Sequence, residues 1–179
     1  MIHKGLFYHA HHWIVIGTNF TKADTQLRSH FAITQTKLAD VYQKAASLGV
    51  KDFFVLSTCN RTEFYGCAPS PVMRELVTDQ LNLEPGQLEE FFYTITGYEA
   101  IRHLFKVVAG LNSQIIGDYE IVGQVKKAVQ LSREFGLVQT LTDRITSYAL
   151  QASKEIKVKT NLSQGKYSVS YAAAELITA

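Results

Sequence analysis

No two glycines in this 179-residue chain stand two positions apart, so a Gly-x-Gly-x-x-Gly turn is absent. Nothing here can cradle a dinucleotide pyrophosphate in the usual way. Long apolar runs are missing too: none approaches the roughly 18 residues of a membrane span. The N-terminus lacks the uninterrupted apolar core and small-residue cleavage pattern of a signal peptide. One-sided charge is also absent. Eighteen Lys and Arg against 16 Asp and Glu leave a net charge of +2, too little for the global field that marks a nucleic-acid binder. Cysteine is scarce, with Cys59 and Cys67 alone. With no export signal, the expected setting is cytoplasmic and reducing, where these two do not form a disulfide.

Against those absences stand 46% hydrophobic and 19% charged residues, enough for one good core with an appendage. The leader, residues 1–12, carries four of the six histidines, three of them in His9-Ala10-His11-His12. No cysteine or acidic partner lies nearby, so it reads as a flexible leader and no metal site is assigned. Trp13-Ile14-Val15-Ile16-Gly17 predicts a first strand. Thr36 to Leu48 predicts an amphipathic helix capped at Gly49. Strands are expected over 52–57 and 62–67, a helix near 72–81 after Pro69-Ser70-Pro71, and a strand at Phe91-Phe92-Tyr93. Cys67 alternates with Tyr65 and reads as a small core hydrophobe.

After Gly97 the pattern turns helical, with Ile101, Leu104, Phe105 and Val108 at i, i+3, i+4 and i+7. Helices are expected from about 118 to Gly136 and from about 139 to 158. A last helix, capped by Ser168 or Ser170, runs to the end of the chain without its own stop signal and looks cut short. Short strands interleaved with helices predict an α+β fold, a ferredoxin-like α/β sandwich followed by helices leading to a connecting, spinal helix. Its catalytic domain would span 13–157, with the α+β core reaching to about 110, and the connecting helix would begin in 158–179. Residues 120–179 hold 8 basic and 5 acidic side chains against 10 and 11 before them, a modest basic excess that a solvated helix face explains as well as an RNA backbone does.

The chemistry concentrates in Ser57-Thr58-Cys59-Asn60-Arg61-Thr62-Glu63. The apolar run Phe53-Phe54-Val55-Leu56 delivers a cysteine, an arginine follows two residues later, and Phe64-Tyr65-Gly66-Cys67 leaves. A thiol and a guanidinium thus sit at a tight connection between two strands, where function is held on a rigid scaffold. A guanidinium pairs two-point with a carboxylate, and a fixed positive charge favours a neighbouring thiolate. A buried structural cysteine beside a surface arginine is the plain alternative.

This stretch resembles the active-site segment of glutamyl-tRNA reductases. Gly110-Leu111-Asn112-Ser113, Gly117 and Gly123-Gln124-Val125-Lys126 resemble that family's second signature, and Ser168-Val169-Ser170-Tyr171-Ala172-Ala173 the segment entering its cofactor domain. The resemblance implies NADPH-dependent reduction of glutamyl-tRNA to glutamate-1-semialdehyde through a cysteine thioester, the first step of tetrapyrrole biosynthesis. It implies that NADPH binds a domain absent from this chain, that another absent domain makes the homodimer, and that the aldehyde passes to glutamate-1-semialdehyde aminotransferase. On it, Cys59 is the nucleophile and Arg61 receives the glutamate carboxylate. Thr58 and Asn60 hydrogen-bond the glutamyl group, Ser113 and Gln124 contact substrate, and His103 orients the ester or moves a proton. From periodicity alone His103 lies about 140° from its helix's apolar stripe and reads as a surface residue.

The chain departs from the family's pattern in two places. Asp118-Tyr119-Glu120 stands where Glu-Pro-Gln is usual, and Phe20-Thr21-Lys22-Ala23-Asp24 where a His-Lys-Thr-Ala-Pro run follows the first strand. Asp118 and Glu120 are therefore candidates either for the substrate's α-ammonium group or for stabilising a helix start. A cysteine acyltransferase or hydrolase, and a tRNA-binding module without chemistry, are the rival readings.

Overall fold

The computed structural model describes residues 10–114, 116–118 and 120–160. Four antiparallel strands form one sheet: β1 (Trp13–Asn19), β2 (Lys51–Ser57), β3 (Arg61–Cys67) and β4 (Tyr93–Thr96), in the order β2-β3-β1-β4. Helices α1 (Thr25–His30), α2 (Gln35–Ser47), α3 (Ser70–Leu81), the short α4 (Gln87–Phe91), α5 (Gly97–Val108), α6 (Glu120–Glu134) and α7 (Thr140–Lys159) complete the described chain. The mixed antiparallel architecture is the α+β class expected. The loop, last helix and Ser168–Ala173 segment expected after residue 160 lie outside the described residues, as do residues 1–9.

Alternation decides how the sheet is covered, because successive side chains of a strand point to opposite faces. Ile14, Ile16, Phe53, Val55 and Phe64 pack with Phe31, Val41, Tyr42 and Met73 under the first helices. Trp13, Val15, Phe54, Leu56 and Tyr65 pack on the other face with Leu104, Val108, Val125 and Ile145. Strands buried on both faces explain the near-continuous apolar runs of β1 and β2. Each fully buried large side chain contributes about 1.5–3 kcal/mol of transfer free energy.

The helical half also closes the β2 edge, which would otherwise offer unpaired backbone to another strand. The Ser132 hydroxyl donates to the Phe53 carbonyl, and the Phe53 amide donates to Leu137 O at 3.1 Å. Asp52 adds a cap contributed from a distance. Its Oδ1 accepts the Gln139 amide at 3.0 Å and the Thr142 amide at 2.8 Å, satisfying donors that the start of α7 leaves open.

Several expectations change. The aromatic run is not one strand: Phe91 ends α4 and β4 begins at Tyr93, because Phe91 and Phe92 both pack on Phe31. Helix α1 had no apolar period to reveal it; Asp24 Oδ1 caps it by accepting the Leu27 amide at 2.9 Å. Cys67 is half-buried rather than core, since β3 ends there beside a cavity shared with His12, Lys51 and Asp52. Within the leader, Ala10 is buried and the His11 ring meets Tyr98 edge-on at 5.2 Å.

Candidate active site

The β2–β3 connection is a tight hairpin. The Thr58 amide donates to Arg61 O at 2.8 Å, so Cys59 and Asn60 occupy its tip. Thr58 Oγ1 accepts the Asn60 amide at 3.2 Å. Beneath the tip, Ser57 Oγ accepts the Ile33 amide at 3.0 Å and lies 3.2 Å from Thr62 Oγ1. Arg28 of α1 is buried and holds the turn from the side, with Nε donating to Cys59 O at 3.2 Å and Nη1 to Ala23 O at 2.7 Å. The Cys59 thiol itself is exposed. A thiol is thus presented to solvent on a backbone fixed from three directions.

Below this tip, β3 sends Arg61, Glu63 and Tyr65 to one face of the sheet. Glu63 has no exposed surface, and among the described residues its carboxylate is held by side chains. Its Oε1 meets Arg61 Nη1 at 3.2 Å and His103 Nε2 at 2.7 Å, and accepts the Tyr93 hydroxyl. Its Oε2 accepts the Tyr65 hydroxyl at 2.7 Å. Burial alone would push this carboxyl's pKa up. The Arg61 charge, then His103 and Tyr93, reverse that and hold it at about 2. Burial and the Glu63 charge beside them raise the pKa values of Tyr65 and Tyr93, so both stay protonated as donors.

A glycine makes this meeting geometrically available. Gly17 of β1 pairs with Glu63 on one side and Tyr93 on the other. A Cβ at Gly17 would sit 2.6 Å from Glu63 Cγ. The missing side chain leaves a slot across the central strand, through which Tyr93 of β4 reaches the carboxylate of β3.

Arg61 was expected as an accessible fork. It is 1% exposed, already paired with Glu63, and its Nη2 donates to the Asn112 carbonyl. Its charge balances an internal carboxylate, and the 109–118 loop covers it. That loop is pinched shut where the Gly117 amide donates to Gly110 O at 3.1 Å. Gly110 has φ of +73°, and a Cβ there would stand 3.0 Å from Asp118 O, so glycine is required on both counts.

Periodicity alone sets His103 on a solvated face, whereas the family resemblance names it as a site residue. Its side chain is only 10% exposed and is held by Glu63, with Asn112 Nδ2 at 3.5 Å from its Nδ1. The buried side of α5 is Ala100, Leu104, Val107 and Val108, a stripe whose mean direction lies roughly 85° from His103 at 100° per residue. Ala100 and Val107 stand in this stripe in place of Ile101 and Phe105 of the apolar pattern, and the exchange accounts for the difference.

Ser113 is half-buried in the loop beside Asn112. Asp118 Oδ1 accepts the Glu120 amide at 3.0 Å, the geometry of a helix start, and Glu120 is exposed in the first turn of α6. Gln124 is not with the Glu63 cluster. It lines a cleft of about 200 Å³ around the β2 edge with Ser57, Tyr42 and Lys127. The structure therefore gathers Arg61 and His103 with Glu63, holds Thr58, Cys59 and Asn60 at the hairpin, and sets Gln124 along the edge of β2. Glu63, Tyr65, Tyr93 and Arg28 were not singled out from sequence. Arg61, Glu63 and Tyr65 could have been grouped by the strand's period of two, whereas Tyr93 and Arg28 carry no local signal.

Among the described residues no cluster of three His, Cys, Asp or Glu side chains could hold a metal ion, and no helix is long and apolar enough to cross a membrane.

The family model for the glutamyl-tRNA(Glu) reductase N-terminal domain matches residues 16–160. The glutamyl-tRNA reductase of Flavobacterium psychrophilum is 40% identical over 165 residues, covering 90% of this chain and 40% of that protein. That of Christiangramia forsetii is 38% identical over 167 residues, covering 93% and 40%. The solved structure of glutamyl-tRNA reductase from Methanopyrus kandleri matches with a TM-score of 0.76 at 26% identity, over 93% of this chain and 39% of that one. The chain thus spans about two-fifths of the length of these relatives. With four-fifths of its residues inside the family's own N-terminal domain, this chain belongs to the glutamyl-tRNA reductase family.

Proposed function

We propose that this domain accepts the glutamyl group of glutamyl-tRNA on Cys59 as a thioester, the acyl-transfer half of a reductase that forms glutamate-1-semialdehyde for tetrapyrrole synthesis. The observation that carries this reading is Cys59 exposed at a fixed hairpin tip directly above a buried Glu63–His103–Arg61 cluster. The Cys59 thiolate attacks the ester carbonyl carbon, the bond to the terminal ribose oxygen breaks, and a proton is delivered to that oxygen as it leaves. His103 is the group placed to move that proton, because Glu63 fixes one ring nitrogen and leaves the other toward Asn112. Thr58 and Asn60 supply donors at the tip for the developing oxyanion.

Arg61 receives the substrate carboxylate in this reading by exchanging the Asn112 carbonyl for it, a neutral acceptor for a charged one. The 109–118 loop, with Ser113, then shifts as substrate enters. Asp118 and Glu120 answer the α-ammonium group only if that shift brings them inward; their present geometry serves the helix start.

In the whole reductase NADPH supplies the hydride that turns the thioester into an aldehyde. The described residues do not fit that cofactor: the sheet is antiparallel throughout and no glycine-rich turn opens a helix. A cytoplasmic homodimer that hands the aldehyde to an aminotransferase belongs to the same reading.

The test is mass spectrometry of the protein after incubation with glutamyl-tRNA and no NADPH. A glutamyl adduct on Cys59, lost in Cys59→Ser, is expected. An adduct on Cys67, whose thiol burial pushes up in pKa with Asp52 adding to it, or no adduct at all, would overturn the assignment.

A further inference from the structure

We infer that the groove between α6 and α7 seats the phosphate backbone of the RNA that delivers the acyl group; the inference rests on the function proposed above. A cavity of about 300 Å³ opens there, lined by Val122, Lys126, Leu150, Ser153, Lys154 and Lys157. Three lysines and no carboxylate line it. Its continuation toward the other end of α6, about 220 Å³, shares Lys126 and Leu150. Apart from the shared Lys126, that end is electrically balanced, because Arg133 pairs with Asp143 at 2.6 Å. The positive charge is therefore concentrated at one end of the groove, although the chain as a whole carries a net charge of only +2.

The periodicity of α7 makes this placement specific. Leu150, Ser153, Lys154 and Lys157 fall at i, i+3, i+4 and i+7, the stripe that faces α6. Earlier on the same stripe stand Asp143, Thr146 and Ser147; beyond Leu150 it carries Lys154 and Lys157, both exposed. Lys154 and Lys157 lie about 4.5 Å apart along the helix axis, and Lys126 faces them from α6. Flexible ammonium groups on an open apolar floor suit the repeating point charges of a phosphodiester chain, which need no planar fork.

The groove also lies next to the candidate active site. Ser153 Oγ donates to Val108 O at 2.9 Å, fastening the lysine stretch of α7 to the last residue of α5. The 109–118 loop, whose Asn112 carbonyl covers Arg61, starts at the following residue. A nucleic acid with its acylated end at Cys59 thus has a basic track beginning beside that loop. The adjoining flank of α6 carries Lys127 into the Ser57 and Gln124 cleft.

The test titrates the 179-residue protein into fluorescently labelled tRNA(Glu) transcript at several salt concentrations. The Lys126→Ala/Lys154→Ala/Lys157→Ala protein is compared with one losing the same charge elsewhere, Lys22→Ala/Lys37→Ala/Lys44→Ala. The groove variant is expected to bind about tenfold or more weakly, with the slope of log K against log salt reduced by about 2–3. The control should stay within about twofold of wild type. Thermal melts confirm that both variants fold. Equal losses in the two variants, or no binding by wild type, would overturn the groove. The acyl-transfer reading is scored separately by the glutamyl adduct on Cys59. If the adduct forms with unchanged KM for glutamyl-tRNA in the groove variant, the groove falls and the acyl transfer stands. If the groove variant alone loses RNA but no adduct ever forms, the groove stands and the acyl transfer falls.

Discussion

Glu63 and Asp52 are buried carboxylates on neighbouring strands, 0% and 5% exposed, toward opposite ends of one hairpin. Asp52 spends its oxygens on backbone: two amides at the start of α7, and the Thr142 hydroxyl on its own carbonyl at 2.8 Å. Among the described residues the Glu63 carboxylate is met by side chains: a guanidinium, an imidazole and two phenols. The first arrangement joins a helix to a sheet edge. The second fixes Arg61, His103, Tyr65 and Tyr93 around one buried charge. A buried charge by itself marks neither role; its partners do.

The comparison breaks most sharply at Glu63. Replacing it by alanine strands the Arg61 guanidinium in a closed site, with an expected loss of about 3–5 kcal/mol by urea unfolding and loss of the glutamyl adduct on Cys59. The double variant Arg61→Met/Glu63→Leu should regain much of that stability, because it removes both charges, and should still form no adduct. An active double variant would show that the cluster is structural only.

Acid should find the same difference. The folded pKa of Glu63, at about 2, lies below the ordinary glutamate value of 4.5. Its contribution is therefore present above about pH 5 and is lost as pH falls from there toward 2, amounting to about 3 kcal/mol in all. Denaturant midpoints at pH 6 and pH 3 measure it. Glu63→Gln should lack that part of the drop; an identical acid sensitivity in that variant would place the ionisation elsewhere.

Asp52→Ala should cost about 1–2 kcal/mol, the scale of a lost helix cap, and leave the rate of Cys59 acylation at its wild-type value. A slowed acylation would mean that α7 positions the site as well as the fold. The smallest effect belongs to Asp118→Asn. As a helix-start group it should be worth a few tenths to about 1 kcal/mol in thermal melts, with KM for glutamyl-tRNA unchanged. A raised KM without a change in stability would instead assign it to the substrate's ammonium group.

Much of the scaffold was legible because it is written in local pattern. The apolar runs of β1, β2 and β3, the amphipathic period of α2, and the glycines after α2 and α6 each act over a few residues. Phe91 misled for a definite reason: three consecutive aromatics fit a strand, but packing of two of them on Phe31 favours a helical turn before β4. Periodicity alone misplaced His103, although the family resemblance named it a site candidate, because the stripe took Ile101 and Phe105 in place of Ala100 and Val107. The hairpin that holds Cys59 was readable, and so was the shared face of Arg61, Glu63 and Tyr65. That Arg61 would be covered was not, since the Asn112 carbonyl comes from a loop 51 residues away.

The amino-acid order by itself determined the α+β class, the thiol at a strand connection and the positions of most helices, because propensity, capping and apolar period are short-range. Tertiary structure alone decided that β4 lies beside β1, so that Tyr93 meets Glu63 across the slot at Gly17. It alone brought α5 over β3, turning an apparent surface histidine into a partner of a buried carboxylate. Both depend on contacts between residues 30 and 40 positions apart, and no local pattern specifies which distant groups share a closed, low-dielectric site.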